Sequence, residues 1–357
     1  MYHNKKNNIL NLSENNLTSL VSQLNIEKFR AKQIWHWLYQ KGETSFFKMS
    51  NLNTKIQQIL DEKFIIYRPN LKNITKSQDG TCKWLVSFSD CKEVETVFIP
   101  EENRATLCIS SQVGCTLSCK FCHTGTQTLV RNLNFEEIVS QILIAKDYLQ
   151  DWGKNKITHI VFMGMGEPFF NYEEVKKAVE ILNNKNGLNF SLNKITISTS
   201  GLSPEIIKSA KELKTNLAIS LHATNDSLRN EIMAINKKYN LQNLMLACQT
   251  YQNFNPKQKI TFEYTLLKNI NDQPQQALEL VKMIKKYNLN AKVNLIPFNV
   301  WQGTIYEPSP IAVIKEFQQT LKQQGIIVTI RKTRGEEVLA ACGQLKSESI
   351  RVKTTTT

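Results

Sequence analysis

Two regimes of hydrophobic spacing divide the chain. From Leu17 to Lys41 apolar residues recur three and four positions apart, which predicts helices, with Ile34, Trp37 and Leu38 as a core-facing stripe. Thr54 to Lys63 continues the helical period. Past Tyr67 the period falls to two: KWLVSF (Lys83 to Phe88) and VETVFIP (Val94 to Pro100) predict paired strands around a polar turn at Asp90. From Ala105 onward, strand-like runs at 105–111, 156–163, 194–199, 216–221, 259–267, 292–297 and 326–331 alternate with amphipathic helices such as 135–150, 173–184 and 274–287. Repeated β-α units with these connections predict an α/β fold with a parallel sheet or barrel. Six such units make a partial (βα)6 barrel, shorter than the closed eight-fold form. The expected organisation is a small accessory domain over residues 1–90, helical and then a β-hairpin, a barrel core over 91–335 and a C-terminal segment over 336–357. The final SESIRVKTTTT reads as a disordered tail.

Composition changes this picture little and charge changes it more. A chain of 357 residues with 41% hydrophobic and 21% charged residues has room for one large and one small domain of ordinary globular type. The opening MYHNKKNNILNLSENN has no apolar run long enough for a signal peptide or membrane span, so the expectation is a cytoplasmic protein without a membrane partner. Lys and Arg number 45 against 31 Asp and Glu, a formal net charge of +14. Such an excess favours a polyanionic partner, because each neutralised phosphate releases counterions. Arg30, Lys32, His36 and Lys41 fall largely opposite the apolar stripe, where a basic helix can touch RNA phosphates; they equally suit a solvated helix face.

The sharpest chemical signal is a cysteine triplet. Cys115, Cys119 and Cys122 stand at C-x3-C-x2-C spacing in SSQVGCTLSCKFCHTG. A closed structural metal site needs four ligands, whereas a [4Fe–4S] cluster on three cysteines leaves one iron open to bind a small molecule and pass it an electron. Three other readings compete: a Cys3His zinc site with His123, a disulfide framework, and buried apolar thiols. His123 directly follows Cys122, and adjacent residues rarely reach one tetrahedral ion without strain. Eight cysteines in a chain of this length without a secretory segment make a poor disulfide scaffold. Three thiols in a Gly/Ser/Thr-rich loop are not three independent core residues, so the cluster is the favoured reading.

In barrels the chemistry sits at the C-terminal strand ends. Here the first strand runs into the cysteine loop and the second ends in MGMGEP, with Gly164, Gly166 and Glu167. The third ends in STSG, the fourth in SLHA and the sixth in NLIPFN, which offers Ser198, Ser220, His222 and Asn299. Singly each suits a cap or turn. Together around one mouth they fit a pocket for an amino-acid-like, ribose-bearing cofactor.

The cysteine loop followed by GEP after the next strand resembles the radical S-adenosylmethionine (SAM) superfamily. With FRAKQIWHWLYQKG, VETVFIP, ATLCISSQVGC, STSG, SLHA and RGEEVLAACGQL, the chain resembles the RlmN/Cfr methyl synthase family within it, from Phe29 to Leu345. The resemblance implies a partial radical-SAM barrel in which Cys115, Cys119 and Cys122 hold one [4Fe–4S] cluster. It implies SAM contacts at Gly166, Glu167, Ser198, Ser220, Leu221, His222 and Asn299. It implies a methyl-carrying Cys342, a resolving Cys108 that forms a transient disulfide with it, and a proton-accepting Glu95. The implied reaction is methylation of adenosine C2 in the peptidyl-transferase centre of 23S rRNA and 3′ to the anticodon of some tRNAs. Two SAM molecules are consumed, through an S-methylcysteine and a 5′-deoxyadenosyl radical. The implied partners are 23S rRNA, tRNA and an electron donor such as flavodoxin or ferredoxin, with the enzyme a monomer. Two alternatives are a Cfr-like enzyme acting at C8 of the same ribosomal adenine and a non-catalytic zinc-containing RNA-binding protein. Cys82, Cys91 and Cys248 match no motif and are read as structural.

Overall fold

The computed structural model describes residues 6–154 and 156–349; most of the tail read as disordered, residues 350–357, lies outside them. Near the N-terminus three short helices, α1 (Glu14–Gln23), α2 (Phe29–His36) and α3 (Thr54–Lys63), pack around Leu17, Val21, Ile34, Trp35, Leu38 and Leu60. Ser13 and Asn53 cap α1 and α3 by accepting the backbone N–H groups of Asn16 and Ile56. One position departs from the sequence pattern. Helix α2 runs into a π-turn over Trp37–Lys41, yet the buried set Ala31, Ile34, Trp35, Leu38 and Tyr39 keeps ordinary helical spacing, with its centre on the Trp35 side. Trp35 is therefore the buried indole, while Trp37 is half-buried and donates to the Asn51 side chain at 2.7 Å. Gly42 ends the turn at φ +67°, and a Cβ there would sit 2.0 Å from the Trp152 ring. Only glycine lets this layer close on the barrel.

Ten strands form one sheet in which each strand lies beside its sequence neighbour. They are β1 (Asn70–Lys76), β2 (Cys82–Ser87), β3 (Glu93–Pro100), β4 (Ala105–Cys108), β5 (His159–Phe162), β6 (Ile195–Thr199), β7 (Asn216–Ser220), β8 (Ile260–Leu266), β9 (Ala291–Pro297) and β10 (Ile327–Ile330). Strands β1 to β4 pair antiparallel; β4 to β10 are all parallel, with Thr106 opposite His159 and Lys292 opposite Ile327 marking the register. Six crossovers join the seven parallel strands, which is the six-unit partial barrel. Their helices are α4 (Phe135–Leu149), α5 (Tyr172–Asn183), α6 (Ser203–Glu212), α7 (Asp226–Ile232) with α8 (Leu241–Phe254), α9 (Pro274–Lys286) and α10 (Ile311–Gln323). The sheet is continuous across residue 90: Leu85 of β2 pairs with Glu95 of β3.

Burial follows from this layering. Leu107, Ile160, Ile197, Leu217, Phe262, Val293 and the apolar faces of the crossover helices form one core. Parallel strands covered by helices read as near-continuous apolar runs, which is why they were visible in sequence. Arg229 is the large polar exception, fully buried on α7. Its guanidinium donates to the carbonyls of Leu221, Ser200 and Ser220 and to the Asn236 side chain, tying the ends of β6 and β7 together. Among the described residues no helix is long and apolar enough to cross a membrane.

Candidate active site

The C-terminal strand ends and the loop after β4 enclose a cavity of about 150 Å³. It is lined by Cys122, Gly166, Glu167, Ser198, Ser220 and His222, and also by Cys342 and Arg331. Five of the seven expected SAM contacts therefore meet. Leu221 does not line the cavity; it is fully buried behind it, its N–H bonded to the Glu263 carbonyl. Asn299 lines a second, larger cavity of about 470 Å³ and donates from Nδ2 to the Cys342 carbonyl at 3.2 Å.

The cavity floor is made of backbone brought close. Gly166 has φ +95°, and a Cβ there would lie 2.5 Å from the Gln112 side chain. Glu167 is buried, with one carboxylate oxygen accepting the Ser200 N–H at 2.8 Å and the other the Phe169 N–H at 3.1 Å. Burial nonetheless holds its pKa above the usual carboxylate range. His222 sits in left-handed backbone at φ 56°, and its Nδ1 accepts the Thr265 N–H at 2.9 Å. Burial drives its pKa down to about 3, so it presents a neutral ring at neutral pH.

The cysteine loop is tightly closed. The Cys122 N–H donates to the Cys119 carbonyl at 3.1 Å, the Cys115 N–H to Gln127 at 3.2 Å, and a Cβ on Gly125 would meet the Cys119 carbonyl oxygen at 2.6 Å. Burial pushes all three thiol pKa values up, Cys115 to about 12, with neighbouring loop thiols adding to it at Cys115 and Cys119 and Cys342 adding to it at Cys122. Thiols so placed ionise when a cationic group draws them together, and the donor set fits a three-cysteine cluster. Among the described residues no group of three or more His, Cys, Asp or Glu side chains is arranged to hold a metal ion. A cubane spreads its thiolates over separate irons and does not ask them to share one coordination sphere. His123, the zinc alternative's fourth ligand, is occupied otherwise: its ring stacks on Trp301 at 4.8 Å and Nδ1 faces the Gln344 carbonyl at 3.3 Å.

The distant cysteines come together. Cys342 is half-buried on the wall shared by the two cavities, and Cys108, at the end of β4, is buried near enough for the Cys342 thiol to add to its proton affinity. Burial with this neighbour pushes Cys108 up to about 12. All eight cysteines are free thiols. Glu95 is buried and ion-paired to Lys83 at 2.8 Å, while its other oxygen accepts the Lys346 N–H at 3.0 Å. It lines neither cavity and meets the site through the C-terminal segment.

Comparison with known proteins places this geometry. Residues 109–296 match the model of the radical SAM superfamily, and residues 7–66 match the ribosomal RNA large subunit methyltransferase N-terminal domain. The chain is 46% identical to the dual-specificity RNA methyltransferase RlmN of Rhodospirillum rubrum, covering 96% of this chain and 81% of that protein. It is 47% identical to that of Rhizobium meliloti, over 98% and 90%. The chain belongs to the RlmN family of radical SAM methyltransferases. The fold agrees: a radical SAM methyltransferase from Sphaerobacter thermophilus superposes with a TM-score of 0.89 at 36% identity, covering 95% of this chain and 99% of that one. Family membership makes the chain an enzyme whose cofactors are a [4Fe–4S] cluster and SAM.

Sequence reasoning missed two charged residues at the heart of the site. Arg331 directly follows β10 and Glu263 lies within β8, and both line both cavities. The signal was present: a glutamate inside the apolar run KITFEYTLL and an arginine closing IIVTIR at a strand end. Of the unassigned thiols, Cys82 and Cys248 are buried, whereas Cys91 is exposed on the β2–β3 turn at φ 61°.

Proposed function

We propose that this RNA methyltransferase places a methyl group on C2 of adenosine in 23S rRNA and in tRNA, as an S-methylcysteine enzyme. The observation that carries the reading is the meeting of Cys342 with Cys122, Glu167, Ser198 and Ser220 on one cavity, with Cys108 beside it. An sp2 C–H carbon has no lone pair to attack a methyl sulfonium, so a carrier that can form a carbon bond to the ring is needed. When bound, the cluster and SAM supply the electron and the 5′-deoxyadenosyl radical for that bond.

The chain's own residues do the rest. Cys115, Cys119 and Cys122 anchor the cluster, and Gly166, Glu167, Ser198, Ser220, Leu221, His222 and Asn299 orient SAM or support the groups that do. Cys342 Sγ carries the methyl. Glu95 takes the C2 proton; because Lys346 of the C-terminal segment sits on its carboxylate, that segment shifts when RNA enters. Cys108 Sγ then attacks Cys342 Sγ, freeing the methylated base and leaving a transient disulfide for reduction. The helical layer of residues 1–90 contributes RNA contacts, 91–335 the chemistry and 336–357 the carrier cysteine. A flavodoxin- or ferredoxin-like donor serves a cytoplasmic, monomeric enzyme.

Mass spectrometry of RNA from cells with and without this gene tests the reading. 2-Methyladenosine that disappears from 23S rRNA and tRNA on deletion supports it. Loss of 8-methyladenosine instead refutes the C2 assignment.

A further inference from the structure

The cysteine loop is covered on two sides and open on a third. The cofactor cavity lies against Cys122, and the C-terminal segment is docked on His123, Thr124 and Gln127. The remaining flank, with Thr116, Ser118 and Lys120, is exposed. Lys120 stands between two of the loop cysteines, its N–H bonded to the Ile232 carbonyl at the end of α7 at 3.0 Å. Its ammonium, on a side chain 53% exposed, lies 3.9 Å from Glu231. Two further lysines, Lys237 and Lys238, stand exposed on the turn that follows α7. From the other side the loop after β9 closes on the same flank, where Trp301 Nε1 donates to the Phe121 carbonyl at 3.2 Å. That loop carries an apolar knob: Ile305 is 86% exposed and Val300 51%, although Trp301 is buried. Glu307, beside the knob, is paired with Lys268 at 2.6 Å.

We propose that this face docks the electron donor, a small acidic flavoprotein whose flavin edge seats on Ile305 and Val300 and whose carboxylates meet Lys120, Lys237 and Lys238. The inference rests on the reading that a donor of the flavodoxin kind serves this enzyme. An electron crosses protein only over short spans, so the donor has to settle where the loop holding Cys119 and Cys122 comes to the surface. Lys120 marks that place. A phosphate backbone has no use for exposed isoleucine and valine, whereas an apolar centre inside a charged rim suits contact with a protein. Electron-transfer encounters bury little area and rely on opposite charge for their rate. Three lysines against Glu231 give the face the sign opposite to an acidic donor. The apolar knob matches the hydrocarbon edge of a flavin ring. The step is a single electron transfer. The anionic hydroquinone of the flavin gives up one electron and becomes the neutral semiquinone, so no proton moves, and the cluster on Cys115, Cys119 and Cys122 is reduced by that electron. No bond forms or breaks on this chain.

The test uses cluster-loaded enzyme and a purified bacterial flavodoxin, with wild type against K120E, K237E/K238E and I305S. Affinity for oxidised flavodoxin is measured by biolayer interferometry at rising salt, and cluster reduction by flavodoxin hydroquinone is followed in an anaerobic stopped flow. The lysine variants are expected to weaken binding and slow reduction by about tenfold at low salt. Their deficit should shrink at about 1 M salt, where the screening length is about 3 Å. I305S should lose about tenfold at either salt, because its contact is apolar. Dithionite, which needs no docking face, should reduce every variant to the same extent. If K120E does not load the cluster, the other two variants lie outside the cysteine loop and carry the same expectation. Wild-type binding and reduction in both K237E/K238E and I305S overturn the proposal. Weakened RNA binding in those variants with flavodoxin binding intact also overturns it and gives the face to RNA. Reduction by ferredoxin and not by flavodoxin overturns the flavin assignment. If neither protein binds or reduces the wild type although dithionite does, the donor reading itself fails, a result distinct from unchanged variants.

Discussion

The Lys83–Glu95 pair offers a test of the site that needs no RNA. The two side chains meet at 2.8 Å with only 14% and 9% of their surfaces exposed, so each is the other's main source of charge compensation. Replacing Lys83 with Met keeps the bulk of the side chain and strands a buried carboxylate. Breaking a fully buried pair in this way costs about 3–5 kcal/mol. The Lys346 N–H still reaches Glu95, so the expected cost falls at or just below the low end of that range, about 2–3 kcal/mol. An unfolding entropy of roughly 2 cal/mol/K per residue converts this to a fall in Tm of about 3–4 °C for a chain of this size. The pH dependence has a definite sign. Burial already holds the Glu95 pKa above its unfolded value, so the folded state binds its proton more tightly and loses stability as pH rises through that window. Without Lys83 the pKa rises further and the loss at neutral pH grows. Below the unfolded value the carboxyl is protonated in both states, and the difference between K83M and wild type is smallest. Differential scanning calorimetry of cluster-loaded protein at pH 7.5 and at the lowest pH the cluster survives measures both effects. Adding E95Q to K83M removes the stranded charge and should recover most of the loss. Equal Tm values for wild type and K83M at pH 7.5, or no recovery in the double variant, would refute the pairing as described.

The covalent scheme and the cluster make further demands. Cys108→Ala should accumulate a protein–RNA crosslink on a denaturing gel with labelled RNA; release of methylated RNA at the wild-type yield would rule out disulfide resolution. Cys342→Ala should methylate nothing while keeping the brown absorption of roughly 400 nm expected of cysteine-ligated iron–sulfur clusters, whereas Cys119→Ala should lose that absorption; a brown Cys119→Ala protein sinks the ligand assignment. Gly166→Ala places a Cβ 2.5 Å from Gln112 in backbone that disfavours any side chain, so about 1–3 kcal/mol of stability and most SAM affinity should go; calorimetric titration with SAM at wild-type affinity would contradict the close approach.

What was legible in the sequence follows from which signals are local. The barrel was legible because short β-branched runs, each with a buried helix-facing side such as Ile195 and Ile197 or Val293 and Leu295, alternate with amphipathic helices. The triplet was legible because its three thiols lie within eight residues of one another in one loop. Trp37 was misplaced because the stripe through Ala31, Ile34, Trp35 and Leu38 is centred on the Trp35 side, and Trp37 falls roughly 60° from Ile34 on the other flank. Leu221 and Asn299 show the limit of reading strand ends as runs. Alternate side chains at a strand end face opposite sides, so Leu221 packs inward while Ser220 and His222 face the cavity. Arg331 and Glu263 were missed because a charge in a strand looks like surface until the barrel closes around it.

The C-terminal segment explains how Cys342, the proposed carrier, and the cysteine loop come to one place although the chain separates them widely. The loop just after Cys122 holds that segment. The His123 N–H donates to the Gly343 carbonyl at 2.6 Å, Thr124 Oγ1 to Leu345, and Gln127 Nε2 to Ser347 Oγ at 3.0 Å and to the Ser349 carbonyl at 2.8 Å. Ser347 and Ser349, part of the run read in sequence as a loose tail, are therefore docked. From the other side Gln344 Nε2 donates to the Val300 carbonyl at 2.8 Å, and Trp301 Nε1 returns to the Phe121 carbonyl at 3.2 Å. Cys342 is thus positioned by the residues that also shape the cluster loop, and through Lys346 the same segment rests on Glu95. On the roles proposed for Cys342 and Glu95, a base entering between them would displace the Lys346 contact and leave the bonds to His123 and Thr124 in place. The proposed carrier sulfur would then remain against the cofactor pocket while its far flank opens to the base. That division of labour, an anchor beside the cysteine loop and a single contact on the carboxylate, would let one short segment take a methyl from one chamber and present it to a substrate outside.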